Sequence, residues 1–152
     1  LDIKIKQNLL HHSEFLSADG MDIALCKINK ADLSLSFAGA RMPLYYIKDK
    51  KLQQIKGDRY PIGSSYYENK TYHRYEIQMQ AGDMLYLCSD GYYDQFGGDN
   101  DQKFLRINFK RLISQINGES IKKQSEILEK TFQDWKGDHT QTDDILIMGI
   151  RL

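Results

Sequence analysis

Apolar residues recur at helical spacing where the chain opens: Leu1, Ile5 and Leu9 share one side, with Ile3 and Leu10 adjoining. The pattern predicts a helix over residues 1–16 that ends near Ser17-Ala18-Asp19-Gly20. Residues 21–28 then turn strand-like. Asn29-Lys30-Ala31-Asp32 reads as a hairpin turn, and beyond it Leu33, Leu35 and Phe37 alternate with Ser34 and Ser36, the period of a sheet with one wet face. Residues 43–48 and 51–56 flank Asp49-Lys50, a second hairpin. Residues 57–69, rich in Gly, Ser and Tyr, form a longer connection. Residues 71–80 alternate weakly, as an edge strand does. Met84-Leu85-Tyr86-Leu87-Cys88 is a continuous apolar run suited to a strand covered on both faces.

Two helical stripes follow. Leu105, Phe109, Leu112, Ile113 and Ile116 make the first; Ile121, Leu128, Phe132 and Trp135 make the second, with Ser120 as its N-cap and Gly137 as its stop. Residues 145–152 read as the last strand, also buried. Helix, antiparallel strands, two helices and a strand, without repeat or low-complexity linker, predict one α+β unit rather than two domains.

Composition narrows the class. In 152 residues, 41% hydrophobic content supports a packed core, and 28% charged residues argue against disorder. Lys+Arg and Asp+Glu balance at 21 each, so no overall field favours a nucleic acid or an anionic membrane. No apolar run approaches the roughly 20 residues of a membrane span, and no signal peptide opens the chain. Cys26 and Cys88 lie in apolar runs without a Cys/His partner spacing, which reads as two small buried hydrophobes in a reducing, cytoplasmic setting.

Acidic residues fall where strands end. Asp90 directly follows the 84–88 run, and Asp143 and Asp144 directly precede the closing strand. If these strands are antiparallel neighbours, the end of one lies beside the start of the other, and carboxylates from both share one spot. Like charges that close need a cation between them, and an all-oxygen set suits Mg²⁺ or Mn²⁺ rather than zinc. Successive strand residues point to opposite faces, so of Asp143 and Asp144 one ligates and the other supports. By spacing alone, the same residues also read as ordinary turn and cap residues.

At this point the residues resemble a family. Cys88-Ser89-Asp90-Gly91-Tyr92-Tyr93-Asp94-Gln95-Phe96-Gly97-Gly98, followed some fifty residues later by Thr142-Asp143-Asp144-Ile145-Leu146-Ile147-Met148-Gly149-Ile150, is similar to the C-terminal half of SpoIIE-type serine/threonine phosphatases, the bacterial branch of metal-dependent protein phosphatases. Phe37-Ala38-Gly39-Ala40-Arg41-Met42-Pro43-Leu44 resembles that branch's "NAGH-x-P" element, and Pro61-Ile62-Gly63 the loop after it. The resemblance runs through essentially the whole chain. It implies an αββα fold of two antiparallel sheets packed face to face with flanking helices. It also implies two Mn²⁺ or Mg²⁺ ions, with Asp90 and Asp143 as catalytic metal ligands and Asp144 as a supporting one. The reaction implied is hydrolysis of phosphoserine or phosphothreonine by a metal-activated water. The implied setting is bacterial signal transduction, with a phosphorylated regulatory protein such as an anti-sigma-factor antagonist as substrate and an upstream sensor or dimerisation module as regulator.

The family's upstream Asp-Gly, whose carboxylate bridges both metals, has no counterpart before Asp90; Asp19-Gly20 sits where the family has a connector. Residues 1–152 are therefore expected to be a single domain of this type lacking its N-terminal portion, inactive alone and self-associating through exposed strand edges. The alternative is a non-catalytic phosphoprotein-binding module. It is opposed by the cost of keeping Asp90 and Asp143 buried without a metal. A metal-dependent phosphodiesterase finds no His-rich signature. Arg41 replaces the family's histidine and reads as a turn arginine or a phosphate contact. His11, His12, His73 and His139 lack ligand spacing. Tyr66-Tyr67 and Tyr92-Tyr93 are expected to complete half-buried surfaces.

Overall fold

The apolar periods translate into thirteen elements in the computed structural model, which describes residues 1–10 and 20–152. The first eight are α1 (Asp2–Leu10), β1 (Ile23–Ile28), β2 (Ser34–Ala40), β3 (Leu44–Lys48), β4 (Lys51–Ile55), β5 (Tyr75–Gln78), β6 (Met84–Cys88) and α2 (Gly91–Asp94). The rest are β7 (Phe96–Gly97), β8 (Gln102–Lys103), α3 (Arg106–Ile116), α4 (Ile121–Lys136) and β9 (Ile147–Arg151). The expected end of the first helix near residues 17–20, and His11 and His12, lie largely outside the described residues. The class is α+β with antiparallel sheets, as expected. The chain divides into two compact units, one of Leu1–Leu44 and Ile55–Met79, the other of Tyr45–Gln54 and Gln80–Leu152.

In the first unit β2 is the middle strand of the sheet β1-β2-β5, antiparallel to both neighbours. Its alternation is the expected one: Leu35 and Phe37 are buried, Ser34 and Ser36 half-buried. The β1–β2 turn closes because Asn29 Oδ1 accepts from the Ala31 N–H and Asp32 Oδ1 from the Ser34 N–H, local bonds that Asx residues make readily. Leu33 falls in that turn, at φ 57°, and so drops out of the predicted alternation. The start of α1 is tied down by Asp2, whose Oδ1 accepts from the Gly63 N–H at 2.7 Å and from Lys70 Nζ at 2.6 Å. The Lys70 side chain is buried, and this pairing makes its burial tolerable.

The second unit is built on the sheet β4-β3-β6-β9. Asp49 and Lys50 both take positive φ, the mirror-image turn whose twist matches a tight hairpin. β6 is an interior strand, with Met84, Leu85, Tyr86 and Cys88 buried. Helices α3 and α4 contribute Phe109, Ile113, Ile116, Leu128 and Phe132 to the core of this unit. Tyr92 packs at 5.4 Å between ring centroids against Phe104, Phe109 and Phe132. Tyr92 and Tyr93 are thus core residues rather than a half-buried surface. Their helix, α2, carries no long periodic stripe that would have announced it.

Three expectations need correction here. Leu105 is half exposed at φ 73° and precedes α3 rather than joining its apolar stripe. Cys26 is only partly buried, although burial still pushes its thiol up to about 11. β9 begins at Ile147, lies at the sheet edge and leaves Met148 exposed, so the closing strand is not covered on both faces. Edge strands keep one unpaired row of backbone groups and tolerate such exposure.

The start of α4 is as predicted: the Ser120 hydroxyl accepts from the Lys123 N–H at 3.2 Å, and Gly137, at φ 51°, ends the helix. Replacing Ser120 by Ala is expected to cost about 1 kcal/mol of stability, read by urea denaturation, because one orphan amide of the first turn loses its acceptor.

Candidate metal centre

The hydrogen-bond register of β6 and β9 decides which residues can meet. Met84 pairs with Arg151 and Cys88 with Ile147, so the end of β6 lies beside the start of β9. One residue further on, the pairing continues outside the regular strands. The Ser89 N–H donates to the Leu146 carbonyl at 2.9 Å, while the Ser89 hydroxyl donates to the Asp144 carbonyl and accepts from the Leu146 N–H, both at 2.9 Å. Ser89 therefore staples the segment before β9 to the segment after β6.

Gly91 completes the contact. A Cβ built on it would lie 2.4 Å from the Asp144 carbonyl oxygen, closer than real side chains come, and 3.2 Å from the Asp143 carbonyl carbon, a tight contact. The glycine is required because the backbone of residues 143–144 runs directly against the start of α2. Asp90, the residue before it, occupies the N-cap position of α2 without making a side-chain cap bond. Its carboxylate is left for other partners.

All three acids are exposed. That removes the desolvation cost held against a metal-free binding module, since a carboxylate in water needs no ion to balance it. Asp143 Oδ1 accepts from the Asp144 N–H at 2.7 Å, an Asx bond that fixes the Asp143 side chain over its neighbour's backbone. The chain bends at Asp143 rather than running extended, so strict alternation of side chains does not apply to this pair. The donors are carboxylate oxygens only, which suits a hard divalent ion. Among the described residues no cluster of three or more His, Cys, Asp or Glu forms a complete metal-ligand group. The donor chemistry fits the ion, and the set is partial.

The other candidates fall elsewhere. His73 donates its N–H to Asp58 Oδ2 and pairs through Nδ1 with Asp58 Oδ1, both at 2.7 Å, in the loop before β5. His139 stands 3.5 Å from Asp101 in an exposed pair. Arg41 sits in the turn after β2 at φ 61°, donates from Nε to the Arg59 carbonyl and lies 3.9 Å from Asp22, the arrangement of a turn arginine. A cavity of about 620 Å³ between α4 and β9, lined by Leu128, Phe132, Ile145 and Leu146 among others, includes none of the three acids. No helix of the described residues is long and apolar enough to cross a membrane.

Sequence reasoning missed two residues that shape this region. Ser89 is one, although a hydroxyl between the end of a strand and an acid is a signal for a staple. Gln95 is wholly buried, with both side-chain N–H groups donating and its carbonyl oxygen accepting, and no local signal in the sequence announced that burial.

Comparisons with known proteins bear on the fold and the family. The SiaA-PP2C domain of Pseudomonas aeruginosa superposes with a TM-score of 0.85 at 28% identity, covering 97% of this chain and 57% of its own. The phosphatase domain of the cell fate determinant SpoIIE from Bacillus subtilis (Mn presoaked) gives a TM-score of 0.61 at 16% identity, covering 99% of this chain and 73% of its own. The PPM Ser-Thr phosphatase MsPP from Mycobacterium smegmatis, in complex with cacodylate, gives 0.64 at 12% identity over 99% and 69%. The two likenesses at lower identity concern the fold. The chain thus spans little more than half the length of the SiaA domain chain. No curated protein matches it. Residues 4–152 match the family described as Stage II sporulation protein E (SpoIIE), and the chain belongs to that family.

Proposed function

We propose that this chain supplies part of the active centre of a metal-dependent phosphatase that hydrolyses phosphoserine or phosphothreonine in a bacterial signalling protein. The observation that carries this reading is the antiparallel β6–β9 pair, continued by Ser89 and closed by Gly91, which brings the backbone of residues 143–144 against the residue after Asp90. Asp90 and Asp143 would hold a divalent ion, Mn²⁺ or Mg²⁺, with Asp144 in support; two ions are expected in the intact centre. When bound, such ions supply an acidified water and neutralise phosphoryl charge.

The chain's own residues do the positioning. Asp90 presents a carboxylate free of capping duty, and the Asx bond to the Asp144 N–H orients Asp143. The thiols take no part as nucleophiles, because burial pushes Cys88 up to about 12 and Cys26 up to about 11, which keeps both protonated. The similarity to a PPM Ser-Thr phosphatase and to a phosphatase domain presoaked with Mn supports both the reaction class and a divalent ion. The substrate is proposed to be a phosphorylated regulatory protein such as an anti-sigma-factor antagonist, with regulation by a sensor or dimerisation module in the same polypeptide.

The test uses the native polypeptide that contains this chain. Phosphate release from p-nitrophenyl phosphate and from a phosphoserine peptide is expected to rise at least about 100-fold with Mn²⁺, to vanish with a chelator and to return on re-addition. Binding of the phosphopeptide without cleavage at any metal concentration would establish the non-catalytic module instead.

A further inference from the structure

We infer that Gln95 is a positioning residue for the metal centre: it clamps the segment that delivers Asp143 to the loop that carries Asp90. The inference rests on the reading of Asp90 and Asp143 as metal ligands, but the clamp itself is visible without it.

Gln95 follows α2 directly and is wholly buried. Leaving an amide unpaired in such a place is costly, so a buried glutamine is kept for the bonds it makes. Its Nε2 donates to the Thr140 and Phe96 carbonyls, both at 2.9 Å, and its Oε1 accepts from the Thr142 N–H at 3.0 Å. Thr142 immediately precedes Asp143, and residues 140–146 form no regular strand or helix. Apart from Ser89 and its bonds at residues 144 and 146, Gln95 is the described side chain outside this segment that grips it by hydrogen bonds.

The clamp is itself anchored. The Gln95 carbonyl accepts from the Phe104 N–H at 2.9 Å and from Trp135 Nε1 at 3.2 Å, which ties it to the approach to α3 and the end of α4. Trp135 in turn stacks edge-on against Phe104 at 5.4 Å, and its carbonyl accepts from the Gly98 N–H. A Cβ on Gly97 would stand 1.9 Å from that same carbonyl, so the Gln95-Phe96-Gly97-Gly98 run is shaped to receive the end of α4. The amide thus transmits a rigid helical frame to an exposed, otherwise irregular loop. Two grips hold the acid segment, Gln95 before Asp143 and Ser89 after it. Without the first, the loop keeps its C-terminal staple but Asp143 swings free of Asp90, and metal affinity falls while the chemistry of a loaded site is retained.

Amide hydrogen exchange and Mn²⁺ binding on the native polypeptide test this. In the unmodified protein the Thr142 amide is expected to be protected despite its exposed surroundings. Gln95→Met, an apolar near-isostere, is expected to speed Thr142 exchange at least tenfold and leave the β6 amides of Leu85 and Tyr86 within twofold. It should raise the Mn²⁺ dissociation constant at least tenfold, with kcat largely regained at saturating Mn²⁺. If Gln95→Met does not fold, Gln95→Glu, which keeps the acceptor but loses both donors, is expected to show the same direction. An unprotected Thr142 in the unmodified protein overturns the clamp whatever the variants do. Faster Thr142 exchange with unchanged Mn²⁺ affinity overturns the positioning role. Faster exchange in a protein whose unmodified form binds no Mn²⁺ leaves the clamp standing and overturns the metal reading beneath it.

Discussion

Asp90→Asn in the native polypeptide is expected to lower Mn²⁺-dependent phosphate release at least about 100-fold, with folding stability unchanged to within about 0.5 kcal/mol. The substitution is chosen because it separates the two readings of this residue. As a turn or cap residue Asn serves as well as Asp, so a purely structural role predicts no change in either quantity. As a metal ligand, Asn brings a neutral amide oxygen where an anion is needed, and the site loses a full charge toward a hard cation. Asp90 is exposed and makes no cap bond, so the substitution removes no capping hydrogen bond. Isothermal titration with Mn²⁺ and thermal melting in the presence of chelator provide the two readouts. Full activity in a protein of unchanged stability would remove Asp90 from the centre.

Gly91→Ala is expected to destabilise the chain by about 1–3 kcal/mol and to weaken Mn²⁺ binding at least tenfold at the same time. The added methyl would meet the Asp144 carbonyl oxygen at 2.4 Å, and that oxygen is backbone already held by the Ser89 hydroxyl. No flexible side chain is present to give way, so either the start of α2 or the 143–144 segment must move. Either movement shifts the backbone of residues 143–144 relative to the residue after Asp90. Gly118→Ala is the control, since nothing lies within 4 Å of its Cβ position and its φ is not positive. Chemical denaturation and Mn²⁺ titration of both variants measure the pair of effects. Loss of stability with intact metal affinity would mean that residues 143–144 can retreat without disturbing the centre.

The parts of the fold legible in advance were those written locally. Ser34 and Ser36 between Leu35 and Phe37 declared a half-wet strand, and Asp49-Lys50 declared a hairpin. Ser120 and Gly137 marked the two ends of α4, each through chemistry within a few residues. Leu105 misled because a large apolar residue at helical spacing need not be helical; here φ 73° turns it out before α3 starts. Residues 145–146 misled because an apolar run before a strand does not show where pairing begins. Tyr92 and Tyr93 carried no periodic context from which their burial could be read.

By itself, then, the sequence determined most strands of the two larger sheets, the two long helices and the acids at the strand ends, because strand period, helix period and turn chemistry act over a few residues; the short β7–β8 pair carried no such signal. The tertiary structure alone decided that β6 and β9 are neighbours in a register that sets Cys88 opposite Ile147. It also decided that Gly91 must lack a side chain, that the three acids are exposed, and that Gln95 reaches a loop more than forty residues away in the chain. These depend on which segments pack together, a choice made by the whole core and by buried amides seeking partners, to which no short stretch of sequence holds the answer.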